Sequence, residues 1–274
     1  SIIKIPELIS HKLLIWFVFP LLFCSFREHG FHLWRRHYFR DLFFVFLVGL
    51  IGNGFPAFLF ARAQTGIDSH LAGILNSLTP LFTLIIAVSF FRFKAHWLNI
   101  TGIFIALSGA IGLTSISGGH NLNFNAGYAI YVLVATICYA ASVNLIKYKL
   151  ANLDIVTITS LSFFFVGIPA FLYLLLGTSF LKEASTNPDF YTGLLYIIIL
   201  GVLGTALAML AFNRLIKITN PVFASSVTYM IPIMAVIWGI IDGETFEALY
   251  LLWIFLILSG VYLVNRKFIG KRTQ

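Results

Sequence analysis

Nine stretches of mostly apolar residues run along the chain, separated by short polar gaps: A 9–26, B 42–61, C 68–91, D 96–116, E 126–147, F 155–176, G 190–213, H 221–241 and I 247–265. A helix needs about 20 such residues to cross a hydrocarbon layer about 30 Å thick at a rise of 1.5 Å per residue. Each stretch is therefore read as a spanning helix. Segment A carries His11, Lys12 and Pro20 and has the weakest apolar pattern of the nine. The gaps are too short for a soluble domain, so the pattern predicts a single helical bundle in a lipid bilayer.

The gaps alternate in charge. Arg27, Arg35, Arg36 and Arg40 lie between A and B, Arg92 and Lys94 between C and D, and Lys147 and Lys149 at the end of E. Arg214 and Lys217 follow G, and Arg266, Lys267, Lys271 and Arg272 follow I. These are fourteen of the eighteen basic residues, and they occupy every second gap. Basic gaps face the cytoplasm, because short Lys- and Arg-rich loops resist translocation. The C-terminus is expected in the cytoplasm. Nine spans would then put Ser1 outside, so the pattern asks for a further helix ahead of segment A.

Sliding the chain on itself by 152 residues brings Phe60-Ala61-Arg62 onto Phe212-Asn213-Arg214, Ala72 onto Ala224, and Pro80 onto Pro232. After the loss of one residue, Ser108-Gly109 falls on Ser259-Gly260. B, C and D thus map onto G, H and I, five helices later, and an odd shift inverts the second copy in the membrane. The expected architecture is an all-α membrane protein: an inverted-repeat helical bundle with nine spans seen of ten. Its halves occupy residues 1–116 and 124–267. Inverted repeats commonly build secondary transporters, whose halves rock about a central site.

Composition sharpens this picture. Of 274 residues 59% are hydrophobic and 10% charged, where soluble domains run near 25% charged. That excludes a soluble or disordered chain. The net charge of +8 sits in the gaps rather than on a folded basic face, which argues against nucleic acid. Cys24 and Cys138 lie in apolar runs and form no disulfide framework. No nucleophile–base or metal-ligand pattern appears, and His29, His32 and His37 stand beside arginines that repel a cation. No catalytic residue, metal or cofactor is expected, and the chain does not read as an enzyme.

Polar groups inside hydrocarbon are costly unless paired or facing a cavity, so they are the candidate substrate contacts. In B, Asn53 sits between Gly52 and Gly54 with Pro56 following, a run that weakens the helix and frees carbonyls. In C, Asn76, Ser77 and Thr79 precede Pro80; the matched stretch of H holds Thr228 and Tyr229 before Pro232. Each proline removes a backbone donor and favours a kink. E supplies Tyr139 and Ser142, with Asn144 off that face, and G supplies Thr205 and Met209 at a spacing of four. The alternative use of such residues is hydrogen bonding between helices. Arg62 and Arg214 close B and G, either at a cavity mouth or snorkelling to headgroups. Gly102, Ala106 and Ala110 form a small-residue stripe on D for close helix packing, within the chain or in a homodimer. Asn99-Ile100-Thr101 matches a glycosylation sequon but falls inside D.

The chain resembles the EamA-like branch of the drug/metabolite transporter superfamily. The likeness rests on the small-residue run Ala72-Gly73-Ile74-Leu75-Asn76-Ser77-Leu78-Thr79-Pro80-Leu81-Phe82, on Gly102 through Gly112, and on Cys138-Tyr139-Ala140-Ala141. The Gly-Glu that often follows the family's fourth helix is kept as Gly243-Glu244 in the second half, but stands as Phe91-Arg92 in the first. The resemblance implies ten helices around a central cavity, with D and I peripheral. It also implies a bacterial inner-membrane carrier that exports small organic metabolites such as amino acids, related compounds or drugs. No carboxylate falls at mid-membrane, so the residues lean towards facilitated transport or exchange. A channel or a structural membrane subunit is the alternative.

The alternating charge and the odd repeat shift make one joint prediction. Single cysteines replacing Arg62 and Arg214 should react with a membrane-impermeant maleimide from opposite faces of the bilayer. Labelling of both from one face would contradict the inverted reading.

Overall fold

The computed structural model describes residues 38–67, 69–117, 126–178, 180, 190–241 and 248–265. Segment A, Arg27, His29, His32, Arg35, Arg36 and His37, the acidic gap 242–247 and the basic tail lie outside them. The described residues are almost wholly helical. They form α1 (Tyr38–Gly49), a π-helical stretch (Leu50–Gly54) and α2 (Phe55–Ala63), then α3 (Ser69–Asn76), α4 (Thr79–Phe91) and α5 (Trp97–Ser117). After these come α6 (Ala126–Tyr148), α7 (Ile155–Gly177), α8 (Phe190–Ile199), a second π-helical stretch (Leu200–Leu207) and α9 (Ala208–Ile218). The chain continues with α10 (Pro221–Ser225), a 3₁₀ turn (Ser226–Tyr229), α11 (Met230–Ile241) and α12 (Leu249–Asn265).

Among the described residues, four helical runs are long and apolar enough to cross a membrane: Phe39–Ala63, Leu71–Phe91, Gly127–Tyr148 and Ile155–Gly177. Trp97–Leu113, Pro221–Met234 and Leu249–Val264 are shorter apolar helices. The run Phe39–Ala63 is segment B, whose Gly52-Asn53-Gly54 lies in the first π-helical stretch, where the wider turn loosens the hydrogen-bond ladder. Segment C is broken at Ser77–Leu78 and segment H at Ser226–Tyr229, each just ahead of the proline that cannot donate to the turn before it. Asp154 starts α7 by accepting from Val156 N at 2.9 Å, and Asn220 starts α10 by accepting from Phe223 N at 2.8 Å.

α6 is the central post. At its start, Tyr128 and Val132 pack with Ala63, Ile67, Leu71 and Ala72, and the Arg62 guanidinium lies 5.8 Å from the Tyr128 ring centre. At its close, Val143, Ile146 and Leu150 pack with Val45, Val48, Ile158, Ile216 and Ala224. There Lys147 Nζ donates to Lys217 O at 2.7 Å. The helix has 23 residues, about 33 Å at 1.5 Å per residue. Segment B therefore ends where α6 begins, and segment G ends where α6 ends, so B and G run in opposite directions. The residues 44, 91, 147–153 and 217–219 share one end of the bundle: Phe91 stacks on Tyr148 with centroids 4.7 Å apart, and Lys149 Nζ lies 5.8 Å from the Phe44 ring.

The stripe on D is filled by α12 of the same chain. A Cβ on Gly102 would lie 2.7 Å from Gly260 O, one on Gly260 2.5 Å from Ala106 N, and one on Gly109 2.9 Å from Trp253 O. Only hydrogen fits there. The sequon is spent as well: Asn99 Nδ2 donates to Val264 O at 2.8 Å, and its Oδ1 accepts from His96 N at 3.0 Å. Tyr250, Ile257, Leu113 and Tyr229 fill out the cluster between α5, α11 and α12.

Arg92 closes α4 with φ 53° in the left-handed region. A non-glycine residue there costs about 1–2 kcal/mol. Arg92→Gly should raise the melting temperature in detergent, whereas Gly260→Leu should lower it by the equivalent of about 3 kcal/mol, the upper range for overpacking. Thermal unfolding of the purified variants checks both signs.

Candidate functional site

The hydrogen bonds divide the sequence-chosen polar residues into two groups. In the first, each hydroxyl donates to a main-chain carbonyl. Ser77 Oγ donates to Gly73 O at 2.9 Å, Thr79 Oγ1 to Asn76 O at 2.6 Å, and Thr228 Oγ1 to Ser225 O at 3.0 Å. Tyr229 is fully buried, and its hydroxyl donates across the bundle to Ile103 O at 3.3 Å. These groups hold the broken helices in shape. Ser77 and Thr79 occupy the turn of C; Thr79 covers Asn76 O, the carbonyl that Pro80 cannot bond, while Ser77 adds a second donor to Gly73 O, which already accepts from Ser77 N at 3.0 Å.

In the second group the polar atoms have no partner among the described residues. Asn53, the Tyr139 hydroxyl, Ser142 Oγ, Thr205 and Asn76 Nδ2 make no hydrogen bond there, yet none of these atoms is sealed from solvent. Three of these five come together around α6. A Cβ on Gly52 would lie 2.3 Å from Ser142 Oγ, so the first π-helical stretch, with Asn53 in it, is pressed against Ser142. Tyr139 is one turn earlier on the same face, its ring centre 6.0 Å from that of Phe60 in α2. Asn76 joins this region through C: Thr79 Oγ1 lies 3.4 Å from Asn76 Oδ1, Thr83 Oγ1 donates to Thr79 O at 2.8 Å, and Asn144 Nδ2 donates to Thr83 O at 3.1 Å. Thr205 and Met209 stand apart from this group on G. Thr205 lies in the second π-helical stretch and Met209 in the first turn of α9.

Sequence reasoning passed over a third set. Asn144 Oδ1, Ser160 Oγ and Asn213 Oδ1 are buried and unpaired, although Asn213 Nδ2 donates to Thr159 Oγ1 at 2.8 Å. The one sequence signal for Asn213 is its place in the repeat, opposite the apolar Ala61. All contacts in this region are neutral. No cluster of three metal-ligating side chains occurs among the described residues.

This division has a direct consequence for stability. Tyr229→Phe removes a buried hydrogen bond and should cost about 1 kcal/mol. Asn53→Ala and Ser142→Ala break no internal bond and should leave the melting temperature within about 1 °C, by the few-degrees-per-kcal/mol scale of domains this large. Thermal unfolding in one detergent reads all three.

The comparisons with known proteins follow this geometry. A solved crystal structure superposes with a TM-score of 0.72 over 98% of this chain and 89% of that one, at 15% identity, a likeness of fold alone. An uncharacterized inner membrane transporter of Escherichia coli strain K12, YedA, is 29% identical over 232 residues, 82% of this chain and 72% of that protein. A probable terminal-alkyne amino-acid exporter of Streptantibioticus cattleyicolor is 24% identical over 88% of this chain and 78% of its own length. An uncharacterized transporter of Archaeoglobus fulgidus is 25% identical over 85% and 81%. With the apolar spans, these relatives make the chain a multi-pass membrane transporter of small molecules. A model of the EamA-like transporter family matches residues 3–115 and 127–266, and the chain belongs to that family.

Proposed function

We propose that this protein is a secondary-type carrier that exports small organic metabolites, amino acids or related compounds, by alternating access between two inverted halves. It sits in a bacterial inner membrane with its C-terminus in the cytoplasm. The observation that carries this reading is the pair of π-helical stretches. The repeat offset of 152 residues moves 50–54 onto 202–206, inside Leu200–Leu207. A π turn is rare and favours functional sites, so its recurrence at matched positions supports two copies of one hinged unit.

Other features support the same reading. B and G run oppositely, and C and H both break before the matched prolines. The later offset of 151 residues exchanges Gly102 with Trp253 and Gly109 with Gly260. It therefore turns the contact between Gly102 and Gly260 into that between Gly109 and Trp253, both of which exist. That exchange is what a two-fold axis between α5 and α12 produces.

The substrate contacts are assigned to Asn53, Asn76, Tyr139, Ser142 and Thr205, whose polar atoms are left free, with Met209 beside Thr205 on G. Ser77, Thr79, Thr228 and Tyr229 shape the helices that present them. A neutral site of amide, phenol and hydroxyl groups suits a solute that brings its own balanced charges. The export direction draws on the amino-acid exporter among the relatives.

In proteoliposomes of the full chain, uptake of a labelled amino acid should saturate and speed up when the same compound is loaded inside. Asn53→Ala and Ser142→Ala should each raise the half-saturating concentration about tenfold, the effect of losing one contact worth about 1.4 kcal/mol. Flux linear in concentration, or both variants indistinguishable from the parent, would sink this assignment.

A further inference from the structure

The close of α6 and the close of α9 are tied by two lysines that reach past each other. Lys147 Nζ donates to Lys217 O at 2.7 Å and to Thr219 O, on the last turn of α9 and just beyond it. Lys217 Nζ reaches back to Ala151 O at 3.2 Å and to Leu153 O, in the turn that follows α6. The Lys147 ammonium therefore covers carbonyls at the C-terminal end of α9, where unpaired acceptors and the helix dipole both favour a cation, and the Lys217 ammonium covers carbonyls of the turn that leads from α6 to α7. Asp154 is the acid whose charge acts on Lys217. Asp154 itself is occupied capping α7.

Beneath this pair lies the cluster of Val45, Val48, Val143, Ile146, Ile158, Ile216 and Ala224, contributed by α1, α6, α7, α9 and α10. It plugs the end of the bundle that carries the basic gaps. On the same elements sit the three unpaired acceptors, Asn144 Oδ1, Ser160 Oγ and Asn213 Oδ1. Water admitted at this end would satisfy them, so the plug is closed against a pull towards opening.

The far half of segment G behaves differently. α9 packs on α6, α7 and α10, whereas the principal neighbour of α8 among the described elements is the π-helical stretch that continues it. Tyr191, Leu195, Tyr196 and Leu207 are exposed. Among the described residues, one segment is thus docked at one end and little covered at the other, with the π-helical stretch between.

We propose that Lys147 and Lys217 form a reciprocal clasp that gates the basic end of the bundle, holding α9 shut against α6 and α7 and releasing when that end opens. This rests on the alternating-access reading, since only a carrier needs such an end to open. The charge-assisted bonds run to main-chain carbonyls, so the clasp is indifferent to substitutions elsewhere on the two turns and depends on the two donors alone.

The test uses the full chain with Cys24→Ser, Cys138→Ser and a single reporter, Val143→Cys, in the plug. Alkylation by a water-soluble maleimide is timed in inside-out vesicles. Lys147→Gln and Lys217→Gln should each speed alkylation roughly tenfold, and the double variant should add little more, because either loss opens the same clasp. Lys147→Arg keeps a charged donor of full reach, where Gln offers only a shorter neutral amide, and should stay near the parent rate. Unchanged rates in both Gln variants overturn the clasp, as does an Arg variant as fast as the Gln variant, which would mean altered packing. Melting temperatures run alongside show that each variant is folded. The readout needs no substrate: labelling that responds while no solute moves sinks the transport reading, and the gating role with it, while leaving the lysine closure of that end in place. Flux in a protein whose labelling ignores both lysines does the reverse.

Discussion

Everything in this bundle follows from the scarcity of water around its helices. In hydrocarbon a backbone or side-chain polar group must find its partner within the protein, at a cost of several kcal/mol when it does not. The helices answer for the backbone. For the side chains, the structure separates groups that bond to main-chain carbonyls from groups with no partner among the described residues, and the proposed substrate contacts are drawn from the second set. Ser77, Thr79 and Thr228 return their hydroxyls to carbonyls one turn earlier. Asn53, Tyr139 and Ser142 have no such return, and they meet where the first π-helical stretch crosses α6.

The same economy explains where the helices are irregular. A π-helical stretch or a break before proline leaves carbonyls poorly paired, which is costly against lipid. Here the irregular stretches of B, C and H lie against α6 or α5, whereas that of G packs, among the described elements, mainly on the two helices it joins. Close packing is handled elsewhere, on α5 and α12, where Gly102, Gly109 and Gly260 bring two backbones together. Without a hydrophobic driving force between helices, such small-residue contacts provide the dispersion attraction that holds the pair. The bundle thus divides its labour: a rigid glycine seam on one side, loosened helices around α6 on the other.

Charge is confined to the ends. Within the described residues the basic side chains near residues 147–153 and 217–219 gather at one end, and Arg62 lies at the other beside Tyr128. The lysines at the crowded end bond to carbonyls, where their ammonium groups have a structural use beyond orienting the chain in the membrane. The sequence pattern that sets topology therefore also supplies the cations that the helix C-termini need.

The sequence alone determined the helical class, the placement of B to I to within a few residues, and the loosening of B at Gly52-Asn53-Gly54. Periodic apolar length, glycine and proline act locally, and their effects survive any tertiary arrangement. Family membership was legible for the same reason, because small residues and prolines at fixed positions are visible without coordinates. Which polar residues are free was not legible. Tyr229 and Tyr139 look alike in sequence, yet one spends its hydroxyl on Ile103 O, 126 positions away, and the other spends it on nothing described. Asn144, Asn213 and Ser160 became conspicuous only when neighbouring helices sealed them in. A hydrogen bond between distant segments is set by how the helices rotate and cross, and no local pattern encodes that rotation.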